Sequence, residues 1–152
     1  CLGALDAWLV IRGIKTLPLR MEQHQKNAFA IAKWLQKQPR VQYVLYPGLE
    51  NHPGYEINKA QTTGFGGMIS FAVDSAETAR QILEGVKLIK FAESLGGTES
   101  LITYPIRQTH TDLTAEECAE KGITDCLLRF STGIEATQDL IDDLAQAFAA
   151  VE

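Results

Sequence analysis

An arginine interrupts an apolar stretch near the end of the chain, in "DCLLRFST". Strand periodicity puts Leu128 and Phe130 on one face and Arg129 and Ser131 on the other. Burying a guanidinium there is costly unless a carboxylate or phosphate meets its planar fork. Arg129 is therefore a candidate anion anchor. The pattern also suits an arginine on a solvated sheet face, or one paired with an internal Asp or Glu. A second candidate lies at Ser94, 35 residues earlier, in "FAESLGGTESLITYP". Its glycines permit positive φ or close backbone approach, and adjacent amide N–H groups can then face an anion. A plain turn accounts for the same residues. Glu93 suits general acid or base work, or simple solvation. His110 in "QTHTD" can titrate or hydrogen-bond a ligand, or serve the structure alone. Asp142 and Asp143 read as solvent-facing, on a helix whose apolar face is already complete.

Other chemistries find no support. The 152 residues carry a formal charge of −5, which argues against nucleic acid, whose binders bring a basic face to phosphates. No apolar stretch reaches the ~18–20 residues that a membrane span needs. Three cysteines and three histidines show neither disulfide-framework nor zinc-ligand spacing, and a reducing, cytoplasmic compartment is the simpler reading. The glycines of "GFGGM" precede a strand rather than a helix, so they are not a nucleotide fingerprint. Walker, GxSxG and HExxH motifs are absent.

The elements that must position these residues follow from hydropathy periods. Ala28, Ile31, Ala32 and Leu35 form one helical face, and Leu2, Leu5, Trp8, Leu9 and Leu17 extend a similar stripe upstream. One long helix over residues 4–38, kinked at Pro18 and ending before Pro39, is expected. Strands are expected at "VQYVLYPG", with Val41, Tyr43 and Leu45 alternating, at "GGMISFAV", at "KLIKFA", at "ESLITY" and at "DCLLRFST". A helical turn is expected near Glu56–Gln61. Helices are expected at "DSAETARQILEGV" with Asp74 as N-cap, at "TAEECAEKG" with a Thr114–Glu117 capping box and Gly122 as C-cap, and at "TQDLIDDLAQAFAAVE" with Thr137 as N-cap. Short spacers favour an α+β fold, a mostly antiparallel sheet of about four strands with helices gathered on one face. The domain reading is 1–38 as a long interdomain helix and 39–152 as the α+β domain. The start at Cys1, running straight into apolar sequence, reads as a piece of something longer.

The phrases "DAWLVIRGIKTLPLRM", "VLYPGL", "GFGGMISF", "AESLGGTESLITYP", "QTH" and "LLRFSTGIE" occur in this order. Together they resemble the C-terminal part of the trans-sulfuration family of pyridoxal-phosphate enzymes, the cystathionine γ-synthases, γ-lyases and β-lyases with their sulfhydrylase and methionine γ-lyase relatives. The resemblance implies the C-terminal domain of the fold-type I transferase architecture and β- or γ-elimination or replacement on cystathionine or activated homoserine. It implies that Ser94 and Arg129 hold the substrate α-carboxylate, that Thr109 and Leu95 line the same pocket, and that Glu93 is linked with γ-type substrates. It also implies a homotetramer in the full-length protein. The family's Schiff-base lysine motif is absent, as are its phosphate-binding glycines and ring-stacking tyrosine, so the chain alone is expected to be inactive and pyridoxal 5'-phosphate to be held mainly by a large domain upstream. A proline common in relatives is replaced by Ala4. The reading from a different class is a free-standing α+β module for small-carboxylate binding or oligomerisation.

Overall fold

Five strands, not about four, build the sheet in the computed structural model, which describes residues 1–109 and 112–151. His110 lies outside the described residues. The strands are β1 (Val41–Leu45), β2 (Met68–Val73), β3 (Lys90–Phe91), β4 (Leu101–Thr103) and β5 (Leu127–Ser131), in the order β1-β2-β5-β4-β3. All neighbours are antiparallel except β3 and β4, which are parallel and make the sheet mixed. β3 has only two residues, both exposed, which is too short for any periodicity to declare its direction.

β2 and β5 follow their sequence pattern. Ile69, Phe71 and Val73 face the core with Leu128 and Phe130, all fully buried. β1 does not follow it. The register slips between Val41 and Tyr43, and a bulge of this kind reverses which side chains point inward. Val44 and Tyr46 are buried while Tyr43 and Leu45 are exposed.

The expected single helix over 4–38 is two helices. α1 (Ala4–Ile14) stops at Lys15–Thr16, and α2 (Leu17–Leu35) begins with Pro18 in its first turn. Proline is tolerated there because the first-turn N–H groups have no intrahelical acceptor. Pro18 thus starts a helix instead of kinking one. α2 buries His24, Asn27, Ala28, Ile31, Ala32 and Leu35. α1 buries nothing: Leu5, Trp8, Leu9 and Ile11 are all more than half exposed.

The remaining helices are α3 (Tyr55–Gln61), α4 (Ala76–Gly85), α5 (Ala115–Glu120) and α6 (Thr137–Ala149). α4 is capped by Ser75, not Asp74: its hydroxyl accepts the Thr78 N–H at 3.0 Å. Asp74 instead pairs with Arg40. α5 has the expected Thr114–Glu117 capping box, and Gly122 takes the left-handed φ of +68° just beyond it. α6 is capped by Ala136, and Thr137 turns its hydroxyl to Asn27 instead.

α2, α4 and α6 cover one face of the sheet and close the core over Ile31, Leu35, Phe71, Ile82, Phe130 and Leu144. Asp143 corrects the solvent-facing reading. It is 7% exposed, and its carboxylate accepts the N–H groups of Lys87, Leu88 and Ile89 at 2.8–3.0 Å. The carboxylate thereby satisfies the turn that launches β3, a strong charge-assisted arrangement. Asp142, by contrast, is exposed.

Candidate functional site

The face of the sheet away from the three covering helices carries the polar residues. Cross-strand pairing puts Ser70, Arg129 and Thr103 in one row across β2, β5 and β4. Arg129 is half-buried, and its Nη2 donates to Thr103 Oγ1 at 3.4 Å. Its Nε is buried without any hydrogen-bond partner. The ion pairs among the described residues lie elsewhere, at Arg40–Asp74 and between Arg80 and Glu77 or Glu84. Arg129 is therefore neither a freely solvated arginine nor one arm of an internal salt bridge. A buried donor without an acceptor is costly, and an incoming carboxylate removes that cost through charge-assisted bonds.

The turn holding Glu93, Ser94 and Leu95 is pinned at both ends to this face. Before it, the Ala92 carbonyl accepts from Thr103 Oγ1 at 2.9 Å. After it, the Gly96 N–H donates to Ser131 Oγ at 3.0 Å. Gly96 has φ +73°, a conformation that glycine adopts without the steric penalty of a Cβ. Thr103 and Ser131 flank Arg129 on the sheet, so the three residues between the pins pass beside it. Glu93, Ser94 and Leu95 are exposed. Thr109 follows the short helical turn Pro105–Arg107, which contacts β5. Its N–H donates to the Pro105 carbonyl at 3.1 Å, and the hydrogen bond from Arg129 goes to Thr103.

A second layer locks the ends of this region, and the sequence pattern did not reveal it. Glu135 accepts from the Ser100 N–H and, at 2.8 Å, from the Ser100 hydroxyl. Asn27 Nδ2 donates to the Gly133 and Glu135 carbonyls, both at 2.9 Å. His24 Nδ1 donates to the Thr132 carbonyl at 2.6 Å. A Cβ at Gly133 would run into the Glu135 side chain and the Thr98 carbonyl, so only glycine lets the two loops meet. His24 stands four residues before Ala28, on the stripe that continues through Ile31 and Leu35. That spacing was the available signal that His24 is interior.

The thiols offer no alternative centre. All three cysteines are free. The Cys126 thiol is pushed up by burial and by its hydrogen bond to Asp125, the reverse of what a nucleophile needs. Tyr104, next to Thr103, donates to the Asp125 carbonyl, and its phenol is pushed up by burial and by the Asp125 carboxylate. No metal-binding group of His, Cys, Asp or Glu occurs among the described residues. Among them, no helix is long and apolar enough to cross a membrane.

The fold and site together describe an α+β body with an open sheet face built around one arginine and one pinned turn. A family described as Cys/Met metabolism PLP-dependent enzymes matches residues 1–149, and the chain belongs to that family. It is 53% identical over 143 residues to the cystathionine gamma-lyase of Dictyostelium discoideum, covering 93% of this chain and 37% of that protein. It is 51% identical over 148 residues to the cystathionine gamma-synthase of Haemophilus influenzae, covering 97% of this chain and 36% of that one. The crystal structure of cystathionine gamma-lyase from Lactobacillus plantarum complexed with L-serine superposes with a TM-score of 0.93 at 41% identity, over 99% of this chain and 39% of that one. The chain thus spans less than two-fifths of the length of these relatives.

The family's cofactor is pyridoxal phosphate. All eight lysines are exposed. Lys90, on the strand beside β4, gives its ammonium to the Lys87 carbonyl at 2.8 Å.

Proposed function

We propose that this chain is the carboxylate-holding portion of a longer pyridoxal-phosphate enzyme that eliminates or replaces the side-chain substituent of cystathionine or an activated homoserine. The observation that carries this is Arg129, half-buried on a sheet face, with a buried Nε and no carboxylate partner. The α-carboxylate of an amino acid supplies the missing acceptors in bidentate form. The exposed Ser94 hydroxyl, on the turn pinned beside Arg129, adds a further donor. Glu93, immediately before Ser94, reads the far end of the substrate and favours γ-type substrates. Leu95 and Thr109 complete the pocket wall. The binding of L-serine by the structurally similar lyase supports an amino-acid ligand, since L-serine carries the same carboxylate.

In this reading the cofactor supplies the electron sink and this chain supplies orientation. Fixing the carboxylate fixes the direction of the Cα–H bond, and such positioning accounts for much of a catalytic barrier. The Schiff-base lysine belongs to the part of the enzyme outside this chain, and the isolated residues are inert. The apolar surface of α1 is covered there by the rest of the protein or by a neighbouring subunit, as in a homotetramer. The free thiols suit a reducing, cytoplasmic compartment.

The test is Arg129→Ala in the full-length protein. KM for cystathionine rises by about 100-fold, equivalent to ~2.7 kcal/mol of lost charge-assisted binding, while cofactor absorbance persists. Arg129→Lys remains poor, because an ammonium does not reproduce the planar fork. An unchanged KM in Arg129→Ala removes the assignment. Comparing cystathionine with an acylated homoserine plus cysteine separates lyase from synthase.

A further inference from the structure

We infer that Thr103 is a positioning residue for Arg129, fixing the direction of the guanidinium and linking it to the turn that carries Ser94. The inference rests on the carboxylate reading of Arg129 given above. Thr103 is the register partner of Arg129 on β4 and is 1% exposed. Its hydroxyl has one proton, and that proton goes to the Ala92 carbonyl at 2.9 Å. Its lone pairs are then the only groups left to meet the arginine, and Nη2 approaches at 3.4 Å. The order of donors is therefore fixed: guanidinium to Thr103, Thr103 to Ala92. A hydroxyl free to rotate would not impose it.

Among the described residues no other side chain accepts a hydrogen bond from Arg129. Ser70, the partner of Arg129 on the opposite side in β2, receives no hydrogen bond from it. The contact to Thr103 is long for a hydrogen bond, so it contributes direction more than energy. The guanidinium keeps most of its donors unspent, with Nε unpartnered. That is what a binding residue needs: held at one nitrogen, open at the others. Through Ala92, immediately before Glu93 and Ser94, the same hydroxyl sets where the second half of the clamp begins. Displacing the arginine and the turn relative to each other by a fraction of an ångström weakens carboxylate binding without removing any ligand group.

The experiment uses the full-length holoenzyme with cystathionine as the probe. Thr103→Val keeps the β-branched shape and removes the hydroxyl. It raises KM by about 3- to 10-fold with kcat near wild type, the pattern of lost uniform binding, and Thr103→Ser stays close to wild type. On an Arg129→Ala background, Thr103→Val has a clearly smaller effect, only the part that acts through the Ala92 turn, because residues acting through one another are non-additive. An unchanged KM in Thr103→Val overturns the inference. So does an equal fold-increase with and without Arg129, which marks independent structural damage. If Thr103→Val does not fold, Thr103→Ala against Thr103→Ser decides the same question. Failure of the carboxylate reading looks different: Arg129→Ala itself then leaves KM unchanged.

Discussion

The two faces of the sheet share strands but not consequences. On β5, Leu128 and Phe130 point into the helix-covered core and are fully buried, while Arg129, between them in sequence, points to the other face and keeps a donor without an acceptor. The covered face is hydrocarbon packed against α2, α4 and α6. The other face carries Ser70, Arg129 and Thr103 in one row, with Ser131 in the next row between Met68 and Leu101. The period of two lets a single strand contribute stability on one side and recognition on the other. Adjacent residues therefore separate the two properties more cleanly than distant ones.

The largest expected effect breaks the covered face. Phe130→Ala opens a cavity at a site with no exposure, and such truncations cost about 3–5 kcal/mol. Denaturant unfolding of the full-length protein shows this loss, while the folded fraction keeps its KM for cystathionine. Arg129→Ala shows the opposite pattern, with near-normal stability and a large rise in KM. If Phe130→Ala shifts KM as far as Arg129→Ala does, the two faces are coupled and the division fails.

A smaller effect sharpens the open face. Gly96 sits at φ +73°, and a Cβ there would meet nothing within 4 Å. The cost of Gly96→Ala is therefore backbone strain alone, about 1–2 kcal/mol. Relief of that strain moves the turn and its N–H away from Ser131. KM is expected to rise several-fold in Gly96→Ala, and less in Gly96→Asn, since asparagine tolerates the left-handed region better. An unchanged KM at reduced stability would show that the pinning of the turn does not matter to substrate.

Much of this division was legible in the sequence. The alternation in "LLRFS" set Arg129 apart from Leu128 and Phe130, which are fully buried. The Thr114–Glu117 capping box also formed as read, because a cap depends on four adjacent residues and nothing remote. Features decided by remote partners did not show. Val41, Tyr43 and Leu45 alternate in sequence, yet a register shift leaves Tyr43 and Leu45 exposed and Val44 buried. Asp143 read as solvated because its partners are backbone N–H groups more than 50 residues away. α1 and α2 share one apolar stripe, yet they separate at Thr16 with Pro18 in the first turn of the second. In the candidate site, Ser94 and Arg129 stood out as candidates in the sequence, whereas Thr103 and Glu135, which hydrogen-bond beside them, looked like ordinary strand and loop residues. Candidate binding groups are unusual where they stand; the groups packed around them are unusual only once their partners are known.

The smallest effect concerns the polar atom that the covered face does admit. Tyr46 is fully buried in the core, and its hydroxyl donates to the Gly66 carbonyl at 3.0 Å. Burial pushes its phenol up from 10.0 to about 12. The neutral form is thus favoured by folding, and the sign follows from linkage. Below pH 10 both states are protonated and the contribution is fully present. Between pH 10 and 12 the unfolded phenol ionises while the folded one does not, so stability is lost across that window. Tyr46→Phe removes the hydrogen bond, costing about 1 kcal/mol at neutral pH. It also removes this tyrosine's share of the alkaline loss. The stability advantage of wild type over Tyr46→Phe should therefore fall, and then reverse, as pH rises from 10 to 12. Paired denaturant titrations across that range measure it, and a constant difference would mean that the covered face does not hold its tyrosine out of water.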